Sequence, residues 1–374
     1  MIKSLLSNHT VHRSLSGAEV NRRAVFKTLL IFSFYLLTFC KPSFLSAQSE
    51  DSASNFKIMF YNTENLFHPD NDSLTNDDDY TPEGNYHWTF KRYQHKLYNI
   101  YKVITAVGNG NMPDIVGFCE IENRKCLQDL INRTPLVQYN YEIKHYQSAD
   151  SRGIDVGLIY RKDKFSPISD RPIKISYPED LSNRPTRDIL YVKGLVNNTD
   201  TLHVFVNHWP SKYGGAKETD PLRMYVGELL KAFTDSIMQA SPNSKIVLIG
   251  DFNDEPEDRS ITEALGAQVP TNSIKPNQLY NLSYDLQYNQ RLWTHKFQDH
   301  GGIIDQIIVS GAMLESKNGV YTTQKDVHIY QSDFLLMEDD KFLGKKPFRT
   351  YTGMTYTGGF SDHLPVWVEL KVGK

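Results

Sequence analysis

Cysteine is scarce in this chain: three residues among 374, at Cys40, Cys119 and Cys126. That excludes a zinc site built on cysteine and leaves a Cys119–Cys126 bridge as an option, against the commoner reading of Cys119 as a small apolar thiol in a buried strand. Long hydrophobic runs are also missing. The one extended apolar stretch, Thr28 to Cys40, is too short for a confident membrane span. No internal repeat is visible, and no Pro- or Ser-rich linker divides the chain. An excess of positive charge is lacking too. Residues 1–47 hold six basic residues and one acid, a net +5, so the −3 of the whole chain leaves −8 on the remainder. A uniformly basic surface for nucleic acid is excluded, although a local patch is not.

What is present suits a folded protein: 40% hydrophobic and 12% aromatic residues, enough for a sizeable core. Arg22, Arg23 and Lys27 precede the apolar stretch, and Phe44-Leu45-Ser46-Ala47-Gln48 follows it. This basic–apolar–small order reads as a secretory signal over residues 1–47, and predicts an exported protein, periplasmic or extracellular. Lipoprotein anchoring through Cys40 is the alternative, although Phe39 stands where a lipobox has a small residue. A single catalytic domain is expected over 55–374.

Its elements follow from periodicity. Strands are predicted at 56–61, 114–119, 139–146, 153–160, 189–196, 202–206, 246–249, 303–309 and 364–370. Helices are predicted at 90–107, near 125–133, at 221–240 and from Ser260. Several strand pairs lack an intervening helix, which argues for an α/β domain with mixed sheets rather than a doubly wound one.

Five predicted strands end in polar groups able to hold a hard cation and move a proton beside it. They end at Asn62, at Glu120, at Asn207-His208, at Asp251-Phe252-Asn253, and next to Ser361-Asp362-His363. Singly, each has a plain reading as a turn residue, a solvated carboxylate or a structural histidine. Their recurrence after apolar runs points instead to one edge where α/β folds place chemistry.

In this order the motifs resemble the endonuclease/exonuclease/phosphatase superfamily of DNase I-like metal-dependent phosphodiesterases. The most specific pieces are Gly-Asp-x-Asn at 250–253 and Ser-Asp-His at 361–363. The strands ending at Asn62 and Glu120, Asn207-His208, and Ile304-Asp305-Gln306-Ile307-Ile308-Val309 add to them. The resemblance implies a four-layered sandwich of two mixed β-sheets flanked by helices. It implies Glu120 as principal ligand of Mg²⁺ or Mn²⁺, with Asn62 and Asp362 beside it. Asp251 would orient or deprotonate the attacking water, and Asn253 would bind phosphate with Asn207 and Lys212 nearby. His363 would contact the scissile phosphate, with Asp305 fixing its tautomer. Arg187, rather than Arg184, would clamp phosphate, and His208 would protonate the leaving oxygen, with Asp155 as a candidate partner.

The expected activity is hydrolysis of a phosphodiester by a monomer. Nucleic acid is the leading substrate because a histidine stands at 208 and export suits scavenging. A small or lipid phosphate ester is the alternative, and a non-catalytic binding module the remote one. Two further segments stay open in the sequence. Lys345 to Tyr351 mixes basic and aromatic residues that would grip a nucleic-acid strand or form a solvated loop. The acidic loop from Asp70 to Asp79 reads as solvated, with Ca²⁺ binding as the lesser option, since it lacks an EF-hand spacing.

Overall fold

The computed structural model describes residues 54–182, 184–315 and 318–373. The expected signal and Cys40 lie outside these residues. Thirteen of the described strands build two mixed sheets: β1 Ser54–Leu66, β2 Ile115–Ile121, β3 Tyr141–His145, β4 Asp155–Arg161, β5 Phe165–Ile173, β6 Ile189–Val196, β7 Asp200–His208, β8 Lys245–Asp251, β9 Leu279–Asn281, β10 Asp305–Ser310, β11 Val320–Tyr321, β12 Val327–Ile329 and β13 Val366–Val372. One sheet runs β11-β13-β1-β2-β4-β3, with β12 also on β13; the other runs β5-β6-β7-β8-β10-β9. At the centre of each lies a parallel pair, β1 with β2 and β7 with β8.

The sheets face each other across a core of Phe56, Ile58 and Phe60 from β1, Val204 and Val206 from β7, and Val247 and Ile249 from β8. They approach closely at Gly117, where an added Cβ would stand 2.6 Å from Ile249 Cδ1. Helices cover both outer faces. On the first, α1 (Phe90–Gly108) lays down Leu97, Ile100 and Ile104, and α2 (Arg124–Asn132) adds Leu127 and Leu130. Thr89 and Asn123 cap their N-termini by accepting from Arg92 N and Cys126 N. On the second face, α3 (Ala216–Ala240) packs Val226 and Leu230 over Phe205 and Leu248. Every residue of β8 is buried, whereas β13 alternates buried and half-buried positions, as strands covered on both faces and on one face should. The result is the expected four-layered sandwich.

Local departures have identifiable causes. Strand β5 was not expected, because Pro167 and Pro172 interrupt its pattern. It lies at the sheet edge, paired to β6 alone, where prolines are tolerated. Helix α3 begins five residues before Pro221, since buried Arg223 donates to Ala216 O (3.2 Å) and the Thr219 hydroxyl (2.8 Å). The helix expected from Ser260 is one wide turn, closed by Leu265 N on Ser260 O. Cys119 and Cys126 are separate buried thiols, not a bridge.

Candidate active site

The two parallel pairs deliver the polar residues to one edge of the sandwich, and the backbone there is bent out of the regular pleat. Glu64, Asn65, Glu120 and Asn253 all adopt left-handed φ, between 51° and 59°. Such a conformation costs a non-glycine residue about 1–3 kcal/mol and is commonly stored at functional sites. The register of β1 against β2 shifts between Asn62 and Leu66, and that of β2 against β4 between Cys119 and Ile121. These bulges turn Glu120 toward Asn65, whose N–H donates to Glu120 Oε2 at 2.8 Å. Gly250 is required for close approach, since a Cβ there would stand 2.4 Å from Asn207 O.

Around this edge the described residues form one connected network. Asp251 is central. Its Oδ1 accepts from Asn253 N (2.9 Å) and its Oδ2 from Asn62 Nδ2 (3.1 Å). His208 Nε2 stands 3.8 Å and His363 Nε2 3.9 Å from Asp251 Oδ2. His363 Nδ1 lies 2.7 Å from Asp305 Oδ2, and the other Asp305 oxygen is buried without a partner. Glu120 Oε1 lies 4.0 Å from His208 Nε2. Asp362 joins through Oδ1, 3.9 Å from His363 Nε2. The structure thus brings Asn62, Glu120, His208, Asp251, Asp305, Asp362 and His363 together.

Burial and charge set the two imidazoles apart. Burial alone would depress His363, but Asp305, Asp251 and Asp362 outweigh it and hold the ring well above its ordinary value. Burial, reinforced by Arg187, Arg152 and His363, pushes His208 well below. Burial, with Asp305 and Glu120 adding to it, raises the Asp251 carboxyl to about 7 against the opposing pull of His363 and Asn253 N. Burial also works against the Asp362 carboxylate, yet His363, Arg349, His295 and Lys96 hold its carboxyl below the usual range. Burial and charge thus favour the charged form of His363 and the neutral form of His208.

Four expectations change with the geometry. Asp155 lies 3.3 Å from His145 Nε2, while His208 Nδ1 has no hydrogen-bond partner, so these two do not pair. Asn207 is fully buried; its Nδ2 donates to Phe205 O and Ile249 O, and its Oδ1 accepts from Trp209 Nε1. It braces the sheet edge and presents nothing to a substrate. Arg187 is buried as well, with Nη2 on Trp209 O (2.9 Å) and Nη1 on Asp150 (3.3 Å). Both terminal nitrogens are engaged within the protein while Nε is buried without a partner, and the charge acts on His208. Arg184 is exposed, with its N–H on the Ser182 hydroxyl. Lys212 Nζ is held 3.1 Å from Asp254 and 3.2 Å from Asp258. Asn253 donates from Nδ2 to Trp209 O and retains the second amide hydrogen for a ligand.

Sequence reasoning missed a second tier behind the site. Glu64, buried, accepts from Thr350 N (2.6 Å) and Arg349 Nε (3.1 Å), and faces the buried Lys96 ammonium at 3.8 Å. Arg349 Nη2 also reaches Asp362 Oδ2 at 2.9 Å. The ring of His295 lies 4.8 Å from that of His363, and burial first, then His363, lowers it to about 4. Glu64 stood inside the Asn62 motif, but nothing local paired it with residues nearly 300 positions away.

The donor set fits a hard divalent cation. Glu120, Asp362 and Asn62 offer oxygen, and the buried Asp305 oxygen without a partner is a further acceptor at the same edge. The thiol of Cys119 lies within 4.8 Å of donors on His208 and Asp251, and burial first, then Asp251, raises it well above its ordinary value. Asn62 has its amide engaged at both ends, its Oδ1 accepting from Glu64 N at 2.9 Å, so one remaining lone pair is what it can offer.

Against known proteins, the sequence profile of the Endonuclease/Exonuclease/phosphatase family matches residues 57–372. No curated protein sequence matches the chain. Among solved structures, humanized D. rerio TDP2 aligns with TM-score 0.51 and 14% identity, over 84% of this chain and 98% of its own. The human Nocturnin catalytic domain with bound sulfate gives 0.50 and 14%, over 86% and 96%. ANGEL2, a 2',3'-cyclic phosphatase bound to adenosine-2',3'-vanadate, gives 0.51 and 13%, over 86% and 96%. At such identities these three share the fold with this chain.

Proposed function

The chain belongs to the endonuclease/exonuclease/phosphatase family, and on that premise we propose that it is a divalent-metal-dependent hydrolase of phosphoric esters. The observation that carries this reading is the convergence of Asp251, Asp305, His363 and Glu120 at one sheet edge, with the Asp251 carboxyl and the His363 imidazole both raised and His208 lowered. Glu120, with Asp362 and Asn62, would hold the ion. Bound there, Mg²⁺ or Mn²⁺ supplies Lewis-acid stabilisation of charge on the phosphoryl oxygens.

The remaining roles fall to side chains. Asp251, fixed by Asn62 Nδ2 and Asn253 N, takes a proton from the attacking water as its oxygen bonds to phosphorus; the ester P–O bond breaks and the leaving oxygen takes up a proton from solvent. The His363 imidazolium, oriented by Asp305, donates a hydrogen bond to a phosphoryl oxygen as charge builds. The free Asn253 amide hydrogen serves the same group. His208, kept neutral, lies between Asp251 and Glu120, where it orients the water without competing as a cation.

A small phosphate ester is the favoured substrate class. The basic–aromatic segment that would grip nucleic acid is occupied by contacts within the protein. Lys345 is paired with Asp333, Lys346 with Asp339, and Arg349 with Glu64 and Asp362, while Tyr351 is buried. Nucleic acid is the second reading, supported by the histidine at 208. Export rests on the basic–apolar–small order of residues 22–48, and mass analysis of the protein recovered from producing cells checks it.

The deciding assay supplies Mg²⁺ or Mn²⁺ with p-nitrophenyl phosphate, bis-p-nitrophenyl phosphate and supercoiled plasmid, EDTA serving as control. EDTA-sensitive hydrolysis of the small esters that disappears in Glu120→Ala and His363→Ala supports the reading. Wild-type rates in both variants would overturn it.

A further inference from the structure

A cavity of about 270 Å³ opens beside the catalytic edge, between the end of β1 and the hairpin of Tyr351–Thr352 with Thr355–Tyr356. Two of its lining residues touch the proposed metal-holding carboxylates: Asn65 N donates to Glu120 at 2.8 Å, and Arg349 Nη2 to Asp362 at 2.9 Å. A group filling it would lie beside the carboxylates proposed to hold the metal. The volume is just under the range of about 300–1,000 Å³ usual for drug-sized ligands, which suits one ring and not a run of nucleotides.

The lining also limits the kind of ring. Tyr80 has Phe67 stacked on one side at 4.3 Å and Tyr86 stacked at 4.6 Å; Tyr351 meets the edges of Tyr86 and Tyr356, and Trp88 packs against Tyr351. The aromatic faces are thus largely taken up by one another. A nucleobase, which needs an open π-face, finds little here. Polar groups are what the cavity offers. Glu64 and Arg349 stand at one wall, fixed to each other at 3.1 Å, with Nη1 of the half-exposed guanidinium left for a ligand. The Tyr351 hydroxyl is occupied by Tyr86 O and the Trp88 N–H by Phe67 O. The hydroxyls of Tyr80 and Tyr86, both on lining residues, have no such partner among the described residues, and a phenol can donate as well as accept. A carboxylate, a guanidinium and two phenols around one ring-sized space match the alternating donors and acceptors of a polyhydroxylated ring.

We propose that this cavity is the subsite for the alcohol half of the substrate, and that the alcohol is a single polyhydroxylated ring, a sugar or a cyclitol carrying the phosphate. The inference rests on the hydrolase reading of the neighbouring site and sharpens its substrate.

The test compares glucose 6-phosphate, myo-inositol 1-phosphate, adenosine 5'-monophosphate and glycerol 3-phosphate with the full chain in Mg²⁺. At least one hydroxylated-ring phosphate should exceed glycerol 3-phosphate in kcat/KM by about tenfold or more, and which ring wins separates a sugar from a cyclitol. In Tyr86→Phe and Tyr80→Phe that preference should shrink about tenfold, through KM and not kcat, with the melting temperature showing that the variants fold. Equal turnover of ring and acyclic esters, or a preference for the nucleotide that both variants retain, would overturn the proposal. Should no ester be hydrolysed, the hydrolase reading fails separately, and calorimetry then decides the subsite. Binding of glucose 6-phosphate or myo-inositol 1-phosphate that weakens in Tyr86→Phe sustains it; no heat with either sinks it.

Discussion

Asp305 and His363 come from different strands' ends, 58 positions apart, and meet with Oδ2 2.7 Å from Nδ1 in a fully buried contact. This one contact separates the two histidines of the site, because it is Asp305 that chiefly offsets the burial penalty on the His363 imidazolium.

Asp305→Asn should therefore cost far more than a hydrogen bond. The amide keeps the shape but removes the charge, so the His363 pKa falls toward the depressed value that burial alone would set. A loss of about 10²–10⁴ in kcat is expected, in line with neutralising the orienting acid of a catalytic histidine. Activity that needs the imidazolium should also fail at a lower pH in the variant than in the wild type as pH rises. The pH–rate profiles of both proteins check this, and coincident basic limbs would exclude the assignment.

Lys96 and Glu64 make a second prediction, on stability. Lys96 is buried in α1, its ammonium 3.8 Å from Glu64 and bonded to Phe360 O and the Thr350 hydroxyl. Lys96→Met leaves a buried carboxylate without one of its two cationic neighbours, a change worth about 3–5 kcal/mol when a buried pair is broken. Glu64→Gln in the same chain should recover a large part of that loss. Denaturant melts of the single and double variants measure the coupling, and simple additivity would show that the pair is not one unit.

His203 predicts the direction of a pH effect. It lies in β7 with Nδ1 2.8 Å from the Tyr191 hydroxyl, and burial, with Lys193 adding to it, lowers its pKa to about 4. The folded state thus favours the neutral ring more than the unfolded chain does. The stabilisation is complete above the ordinary value near 6.5 and is lost as pH falls from there through 4. Relative to His203→Phe, the wild type should lose up to about 3 kcal/mol between pH 7 and pH 4. Parallel stability curves over that interval would contradict the shift.

How far all this was legible in the sequence depends on the range of each interaction. The strands β6, β7, β8 and β13 show in their local apolar pattern, and so do α1 and α2, because burial on one or both faces imposes a period that the chain carries along its length. The polar strand ends were visible for the same reason, each being the place where an apolar run stops. Direction was not visible. Asn207, Arg187 and Lys212 have side chains suited to phosphate, yet Trp209, Asp150, Asp254 and Asp258 claim them from other segments. The Glu64–Lys96–Arg349 tier joins three separate segments and has no local signature at all. Strand β5 escaped notice because proline rules out a central strand but permits an edge one, and edge position belongs to the topology.

The approach of the two sheets gives the last prediction. Gly117 of β2 lies under Ile249 of β8, where a Cβ would come within 2.6 Å of Ile249 Cδ1 and 3.3 Å of Val206 Cγ1. Both neighbours are fully buried core side chains. Gly117→Ala should destabilise the fold by about 1–3 kcal/mol, the usual cost of overpacking. Trimming the obstructing methyl with Ile249→Val costs about 0.5–1.5 kcal/mol alone, but should relieve most of the strain when combined with Gly117→Ala. The double variant should therefore be more stable than the sum of the two single changes allows. Because β2 leads directly to Glu120 and β8 to Asp251, Gly117→Ala should also lower kcat, with rescue by Ile249→Val. A stability loss without a kinetic one would mean that the bulges at the strand ends, and not the sheet spacing, set the distance between Glu120 and Asp251.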